Sequence, residues 1–305
     1  MPEQALHWDA EALWQQLEPL LPGLSVEVVR STMSTNTELL DRARAAPDTQ
    51  RDAGDTLVRR SVESAAFGRR AVDLQPCLLV AEHQGGGRGR QGRVWRSESG
   101  ASLTFSLGLP LAAADWSGLS LAVGVALCEA LDAAPAGAPG LRVGLKWPND
   151  LWLVDGAAGQ WRTGRKLGGI LIETVAAGAQ RLVIIGIGLN VLHFDTDAVN
   201  TGFASLSELD PGATAPRVLA RLALPLVLAL KAFEREGFAV FAERFAARDV
   251  LCGRQVRTTL ADAPEGIARG VSAQGALLVQ SATGMASVSS GEVSVRLASS
   301  IPHSS

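Results

Sequence analysis

The stretch GGGRGRQGR at residues 85–93 sets three guanidinium groups, Arg88, Arg90 and Arg93, in a backbone that is otherwise glycine and one glutamine. Glycine lets the main chain approach a ligand closely, and each arginine carries a permanently charged planar fork of donors. The stretch therefore has the means to fold over a carboxylate or a phosphate chain. Gly87, Gly89 and Gly92 also spell G-x-G-x-x-G. A dinucleotide turn, however, must join a strand to a helix whose N-terminus takes the pyrophosphate. The residues that follow, VWRSESGASLTFSL, lack a helical period and pass into a strand. No Lys-Ser or Lys-Thr follows the last glycine, which excludes a Walker A loop as well.

Three further stretches carry candidate chemistry. KWPND (146–150) closes a strand, with Pro148 stopping the ladder and Asn149 and Asp150 placed at the turn. KLGGILIE (166–173) puts Lys166 ahead of a strand whose paired glycines, Gly168 and Gly169, admit close approach. GIGLN (186–190) ends another strand with two glycines and the Asn190 amide. Only three of the 28 basic residues are lysine, Lys146, Lys166 and Lys231. Genomic base composition accounts for such an arginine excess. A lysine that persists against it raises the question of whether a compact ammonium is specifically needed there. Converged on one cleft, these strand ends supply glycines, two ammonium groups, two amides and a carboxylate, which is more chemistry than packing requires.

The elements that must position these groups follow from periodicity. A short amphipathic helix occupies residues 1–22, and SVEVVR (25–30) alternates as a strand. Ser34 or Thr35 then caps a helix running from Thr37 to about residue 47. Residues 48–75, polar and dotted with arginine, read as a long mobile insertion. Strands are predicted at 77–82, 103–109, 143–147, 167–173 and 182–191, with a helix over 117–131 and two more near 215–235 and 237–247. Their spacing predicts a mainly antiparallel sheet. From Leu251 onward, short alternating strands punctuated by glycine predict a small β-barrel.

Composition bounds the classes. The chain has 305 residues, 47% of them hydrophobic, and a formal net charge of −3, which argues against a nucleic-acid footprint over the whole surface. No apolar run reaches membrane-spanning length, and Glu3, Asp9, Glu11 and Glu18 stand where a signal peptide needs apolar residues. A cytoplasmic protein without membrane contact is expected. Cys77, Cys128 and Cys252, an odd number far apart among apolar neighbours, are expected as buried thiols.

The blocks STN (34–36), AEHQGGGRGRQGRVW (81–95), KWPNDLWL (146–153), KLGGILIE (166–173) and GIGLNV (186–191) resemble those of the biotin protein ligases, in order and in strand context. The combination of GRGRxGR with KWPND is highly specific. The resemblance implies an α+β fold: a mixed, largely antiparallel sheet flanked by helices, similar to the class II aminoacyl-tRNA synthetase scaffold, followed by an SH3-like β-barrel. It implies a catalytic domain over 1–248, the barrel over 249–298 and a tail over 299–305.

The activity implied is ATP-dependent activation of biotin as biotinoyl-5'-AMP, then transfer to a lysine of a biotin carboxyl carrier protein. Carried over, Lys166, Arg90, Arg93 and Asp150 resemble the catalytic groups. Ser34, Thr35, Asn36, Gln84, Arg88, Gly89, Arg90, Lys166, Gly168 and Gly169 resemble the biotin site, with Ile170 on its wall. Arg88, Arg90, Arg93, Trp95, Lys146, Asn149 and Asn190 resemble the ATP site, with Mg²⁺ expected alongside the nucleotide. Ser34 also suits a helix cap, Trp95 a core position and Lys146 a sheet residue packing its stem. The glycine-arginine loop is expected to order over the ligand. Some members of the family carry an N-terminal DNA-binding domain; with about 25 residues ahead of the catalytic region, no operator binding or repressor role is expected here. A homodimer is compatible with the sequence. A lipoate or octanoate ligase or transferase on the same scaffold, and a non-enzymatic anion-binding protein, are the alternatives.

Overall fold

The computed structural model describes residues 6–44, 66–67, 75–134, 138–156, 161, 164–177, 180–194, 202–259, 261, 264–289 and 295–297. In chain order the elements of the main layer are α1 (Ala10–Leu17), β1 (Ser25–Thr32), α2 (Thr35–Arg44), β2 (Ala66–Phe67), β3 (Cys77–Gln84), β4 (Ser102–Pro110), α3 (Leu119–Leu131), β5 (Leu141–Lys146), β6 (Asp150–Asp155), β7 (Gly164–Ala177), β8 (Gln180–Asn190), α4 (Ala215–Glu236) and α5 (Ala242–Ala246). Eight strands form one mixed sheet in the order β2-β1-β3-β4-β8-β7-β6-β5. Only β1 and β3 run parallel, and every other pairing is antiparallel.

Both faces of this sheet are covered, so its central strands read as continuous apolar runs. Leu103, Phe105, Leu107, Ile185, Ile187 and Leu189 face the side that α1, α3 and α4 cover, packing with Leu127, Leu222 and Phe233. On the opposite face, Leu39, Leu40 and Ala43 of α2 settle on Cys77, Leu79, Leu182 and Ile184. Burying each of those leucines contributes on the order of 2 kcal/mol, which anchors the helix whose first turn builds the site.

The second sheet holds β9 (Gln255–Thr258), β10 (Glu265–Val271), β11 (Leu277–Ser281), β12 (Gly284–Val288) and β13 (Val295–Leu297), ordered β12-β11-β10-β9-β13. It joins the first through a strand-like crossing in which Leu145 N–H donates to Arg248 O at 2.8 Å and Val250 N–H to Leu145 O at 2.9 Å. Two side chains of the KWPND stretch reach into it: Lys146 Nζ donates to Val295 O and Trp147 Nε1 to Gly275 O, each at 3.0 Å.

Beneath the crossing sits a buried ionic node. Asp132 Oδ2 accepts from Arg142 Nε at 2.7 Å, Val143 N at 3.1 Å and Arg248 Nη1 at 3.2 Å. Burial alone would raise the Asp132 pKa. The Arg142 hydrogen bond, the Val143 amide and the two guanidinium charges outweigh it and hold the carboxyl below the ordinary aspartate range.

Five expectations need correction, the first being the helix expected over residues 1–22, which spans only Ala10–Leu17 among the described residues. Residues 150–155 form a strand, β6, where only a turn at Asn149 and Asp150 was expected; Leu151 to Val154 are buried, so no apolar-polar alternation marks them. The helix after Ser34 begins at Thr35 rather than Thr37. The expected helix at 237–247 is a 3-10 turn, Gly237–Phe241, followed by the five-residue α5. Cys77 and Cys128 are buried as expected, but Cys252 is exposed. The insertion predicted over 48–75 lies outside the described residues except for Gln75 and β2, which adds to the edge of β1. No helix among the described residues is long and apolar enough to cross a membrane.

Candidate active site

The site is built where the parallel pair ends. Thr32 of β1 lies opposite Gln84 of β3, and the pairing continues past both strands as Gly85 N–H donates to Thr32 O and Gly86 N–H to Met33 O. Ser34 then caps α2: its carbonyl accepts the Glu38 N–H at 2.9 Å and its hydroxyl the Thr37 N–H at 3.4 Å. Capping places Thr35 and Asn36 in the first turn, where the helix leaves its amide donors unpaired. Gln84 Oε1 takes one of them, the Thr35 N–H, at 2.8 Å. Sequence and cap thus turn the STN triplet inward, and Ser34, Thr35 and Asn36 are each no more than 4% exposed.

Residues directly opposite on antiparallel strands share a face of the sheet. Thr104, Gly188, Gly169, Asp150 and Lys146 are successive partners across β4, β8, β7, β6 and β5, so they form one row on the α2 side. Two adjacent glycines in the middle keep the groove floor low, so that the Trp95 ring lies over Gly188 and the Lys166 and Asp150 side chains lie beside Gly169. A methyl group on Gly188 would overlap the Trp95 ring, and one on Gly186, one pair along, would overlap Asn36 Oδ1. Gly168 has a different role: its added carbon would strike Leu189 and the Gly188 carbonyl, so it serves close packing of β7 on β8.

One end of the groove is a neutral polar network. The Ser106 hydroxyl donates to Asn36 Oδ1 at 2.6 Å and lies 2.6 Å from Thr35 Oγ1. Asn36 Nδ2 donates to Leu171 O at 3.2 Å and to Glu173 Oε2 at 2.9 Å. The Gln84 backbone N–H is taken by Ser97 Oγ at 2.9 Å.

The other end is ionic. Lys166 Nζ donates to Asp150 Oδ1 at 2.7 Å and lies 5.9 Å above the Trp95 ring. Arg90 is partly buried, and that burial lowers its pKa, aided by repulsion from Arg93 and opposed by the attraction of Asp150. Lys166 and Arg90 therefore lie near the Asp150 carboxylate, with Arg93 close to Arg90, an arrangement that concentrates positive charge at this end. Trp95 Nε1 is buried and has no hydrogen-bond partner among the described residues.

The glycine-arginine loop itself forms a small hairpin. Arg88 bridges Val94, Gly89 N–H donates to Arg93 O at 2.7 Å and Trp95 N–H to Gly87 O at 2.8 Å. A 3-10 turn at Arg90–Gly92 puts Gln91 in the left-handed region at φ 57°. Arg88 Nη2 donates to Thr37 Oγ1 at 2.9 Å and lies 3.4 Å from Glu173 Oε1, pinning the loop across the mouth.

Ser34, Thr35, Asn36, Gln84, Arg88, Arg90, Trp95, Asp150, Lys166, Gly169 and Gly188 therefore converge. Five predicted residues face elsewhere: Gly168 serves strand packing as above, Ile170 is buried in the core on the α3 side, beside Gly124, rather than on the wall of the site, and three polar residues turn away. Lys146 shares the row, but its ammonium turns to the second sheet and lies 5.4 Å from the Trp152 ring. Asn149 Nδ2 binds Ile170 O at 2.7 Å, and Asn190 Nδ2 binds Ala204 O at 3.0 Å, so both amides tie strands and loops together. Ser106, Ser97 and Glu173 were not predicted as site residues. A serine at an inward position of the apolar run LTFSLGL was the available signal for Ser106, since a buried hydroxyl must find a partner.

Residues 74–190 match the model of the Biotin/lipoate A/B protein ligase family, and residues 251–296 that of the Biotin protein ligase C terminal domain. The chain is 34% identical over 290 residues to the bifunctional ligase/repressor BirA of Escherichia coli, covering 93% of this chain and 78% of that protein. It is 32% identical over 290 residues to the biotin--[acetyl-CoA-carboxylase] ligase of Mycobacterium tuberculosis, covering 92% and 89%. With BirA of Salmonella typhimurium the identity is 37% over 225 residues, 72% of this chain and 66% of that one. Among solved structures, the biotin protein ligase from Aquifex aeolicus in complex with biotin and ATP superposes with a TM-score of 0.66 at 23% identity, covering 90% of this chain and 99% of the other, a likeness of fold.

Proposed function

The chain belongs to the biotin protein ligase family, and we propose that it condenses biotin with ATP to biotinoyl-5'-AMP and passes the acyl group to a lysine of a carrier protein. The observation that carries the reading is the groove: a glycine floor with a buried hydroxyl-amide network at one end and, at the other, Lys166 and Arg90 near Asp150 with Arg93 beside Arg90. Biotin has the same polarity, a cyclic urea at one end and a carboxylate at the other, with apolar atoms between.

In the first step a biotin carboxylate oxygen attacks the α-phosphorus of ATP, the bond from that phosphorus to the bridging oxygen breaks, and pyrophosphate leaves. Two anions must meet, so the barrier is largely electrostatic, and prearranged cations are the main means of lowering it. Lys166 exchanges Asp150 for the biotin carboxylate and the α-phosphate, while Arg90 and Arg93 take the remaining phosphate charge. Mg²⁺ fits as part of the nucleotide substrate: an ion that arrives on a triphosphate needs only one or two protein carboxylates, and Asp150 stands at that end.

In the second step the carrier lysine's amine attacks the acyl carbon, and the bond to AMP breaks. Asp150, released from Lys166, holds the incoming ammonium and takes its proton. The carrier is a carboxylase domain of the kind named for the Mycobacterium relative, and the cytoplasm is the expected place of work.

The biotin reading is favoured over the lipoate alternative by the relatives' names and by the polar end of the groove, since a dithiolane has no N–H to offer it. The test is exchange of labelled pyrophosphate into ATP with biotin, lipoate or no acid. Exchange that requires biotin supports the reading, exchange with lipoate alone changes the substrate, and none with either acid defeats it.

A further inference from the structure

Asn36 has two amide hydrogens, and both are directed at groups that only accept: the Leu171 carbonyl at 3.2 Å and the Glu173 carboxylate at 2.9 Å. Turning the amide over would put its oxygen against those two acceptors. Ser106 completes the bias by donating to Asn36 Oδ1 at 2.6 Å. A carbonyl oxygen has two lone pairs, and Ser106 uses one. Oδ1 sits against Gly186, in the volume that a side chain there would need.

Asn36 is therefore oriented before any ligand arrives, as an acceptor. The backbone carbonyl of Leu171 comes with any sequence at that position, whereas Glu173 is a choice of side chain. Leu171 and Glu173 lie on the same face of β7, two residues apart, and Glu173 is 27% exposed at its side chain, at the rim where Arg88 also meets it at 3.4 Å.

We propose that Glu173 is a specificity-determining positioning residue: it locks the Asn36 amide so that the polar end of the groove offers an acceptor, and thereby selects acids bearing a ring N–H, such as a cyclic urea, over acids of similar length without one. This rests on the biotin-activating reading above. A site built to bind a substrate N–H rejects an analogue that lacks it far more strongly than an apolar pocket rejects a misfit of size, because the site's own buried group is left unpaired. Replacing the carboxylate with an amide lets residue 173 donate as well as accept, and the Asn36 orientation is no longer forced.

The test uses the full-length protein and pyrophosphate exchange with biotin, lipoate and biotin methylated at one ureido nitrogen. Glu173→Gln is expected to raise the biotin KM about tenfold or more, to leave the ATP KM within about twofold, and to narrow the biotin-to-lipoate ratio of kcat/KM. Glu173→Asp, which keeps the charge on a shorter arm, is expected to fall between wild type and Glu173→Gln. A biotin KM and acid ratio equal to wild type in Glu173→Gln overturn the proposal while leaving the ligase reading intact; absence of biotin-dependent exchange in the wild type overturns both. Should Glu173→Gln fail to fold, the wild type decides: equal KM values for biotin and its N-methyl form overturn the proposal, and a clear rise for the N-methyl form supports it.

Discussion

At the scale of single residues, Lys166 is paired with Asp150 by a bond that the proposed reaction would break. Its 2.7 Å pairing with Asp150 keeps an ammonium poised over the groove, partly shielded from water, with a carboxylate that an incoming anion can displace. Lys166→Met removes the charge and keeps most of the volume. Biotin-dependent pyrophosphate exchange is expected to fall about 10²- to 10³-fold, the usual loss when one prearranged charge-stabilising donor is removed. Lys166→Arg is expected to rescue little, because a planar fork cannot reproduce a point charge reaching two anions. An exchange rate within threefold of wild type in Lys166→Met would remove the residue from the mechanism. Gly188 acts by having no side chain. Gly188→Ala drives a methyl into the Trp95 ring, and the overpacking is expected to cost about 1–3 kcal/mol of stability and to displace Trp95. Quenching of tryptophan fluorescence by biotin should weaken with it; a variant with wild-type stability and quenching would mean that the ring has room to move.

At the scale of elements, the hairpin formed by residues 85–95 is pinned by Arg88 to Thr37 and Glu173 and closed by backbone bonds between Gly89 and Arg93 and between Trp95 and Gly87. Residues 88–94 are exposed or half-buried; surface elements of this kind open more easily than core strands, and ligand that bridges the loop to the groove floor should close it. Trypsin cleavage after Arg88, Arg90 and Arg93 is expected to slow at least tenfold with biotin and ATP present; identical cleavage with and without them would show that the loop does not close. The loop's chemistry was plain in the sequence, since glycines and arginines act through composition. Lys166 and Asp150 were legible too, because they stand at strand ends. Ser106 and Glu173 were not, because their importance comes from the register that brings β4 and β7 beneath α2, and register is invisible in one strand's residues. Strand β6 was missed for a related reason: buried on both faces, DLWLVD loses the alternation by which a half-exposed strand is recognised. Lys146 misled because a ligand-seeking ammonium and one that binds a neighbouring sheet's carbonyl have the same letter.

At the scale of the whole molecule, two buried carboxylates at the junction of the sheets pull stability in opposite directions with pH. Asp132, nearly fully buried between Arg142 and Arg248, has its pKa lowered. Its contribution is present above the unfolded aspartate pKa and fades as acid protonates the folded carboxylate. Asp132→Ala leaves two buried guanidinium groups facing each other, and a loss of about 3–5 kcal/mol is expected in urea unfolding at neutral pH.

Asp249 behaves in the contrary sense. It is 2% exposed at the crossing between the sheets, Oδ1 accepts the Leu251 N–H at 2.8 Å, and Oδ2 is buried without a partner among the described residues. Burial pushes its pKa up to about 6, against the pull of the Leu251 and Cys252 amides. Between the unfolded value near 4 and about 6, the unfolded chain has released a proton that the folded chain retains, so stability falls as pH rises through that window. The loss, absent below pH 4, is complete above about 6 and amounts to roughly 3 kcal/mol for a shift of about two pH units. Asp249→Asn keeps an acceptor for both amides and has no charge to bury. The variant should match wild type at pH 4 and exceed it by about 2–3 kcal/mol at pH 7, read as the difference in urea midpoints multiplied by the slope. A difference that stays constant from pH 4 to 7 would mean that Asp249 does not titrate in the fold. If the difference grows as expected, the junction beneath Lys146 and Trp147 carries an avoidable destabilisation at neutral pH. Removing it should firm the attachment of the second sheet to the KWPND hairpin that presents Asp150.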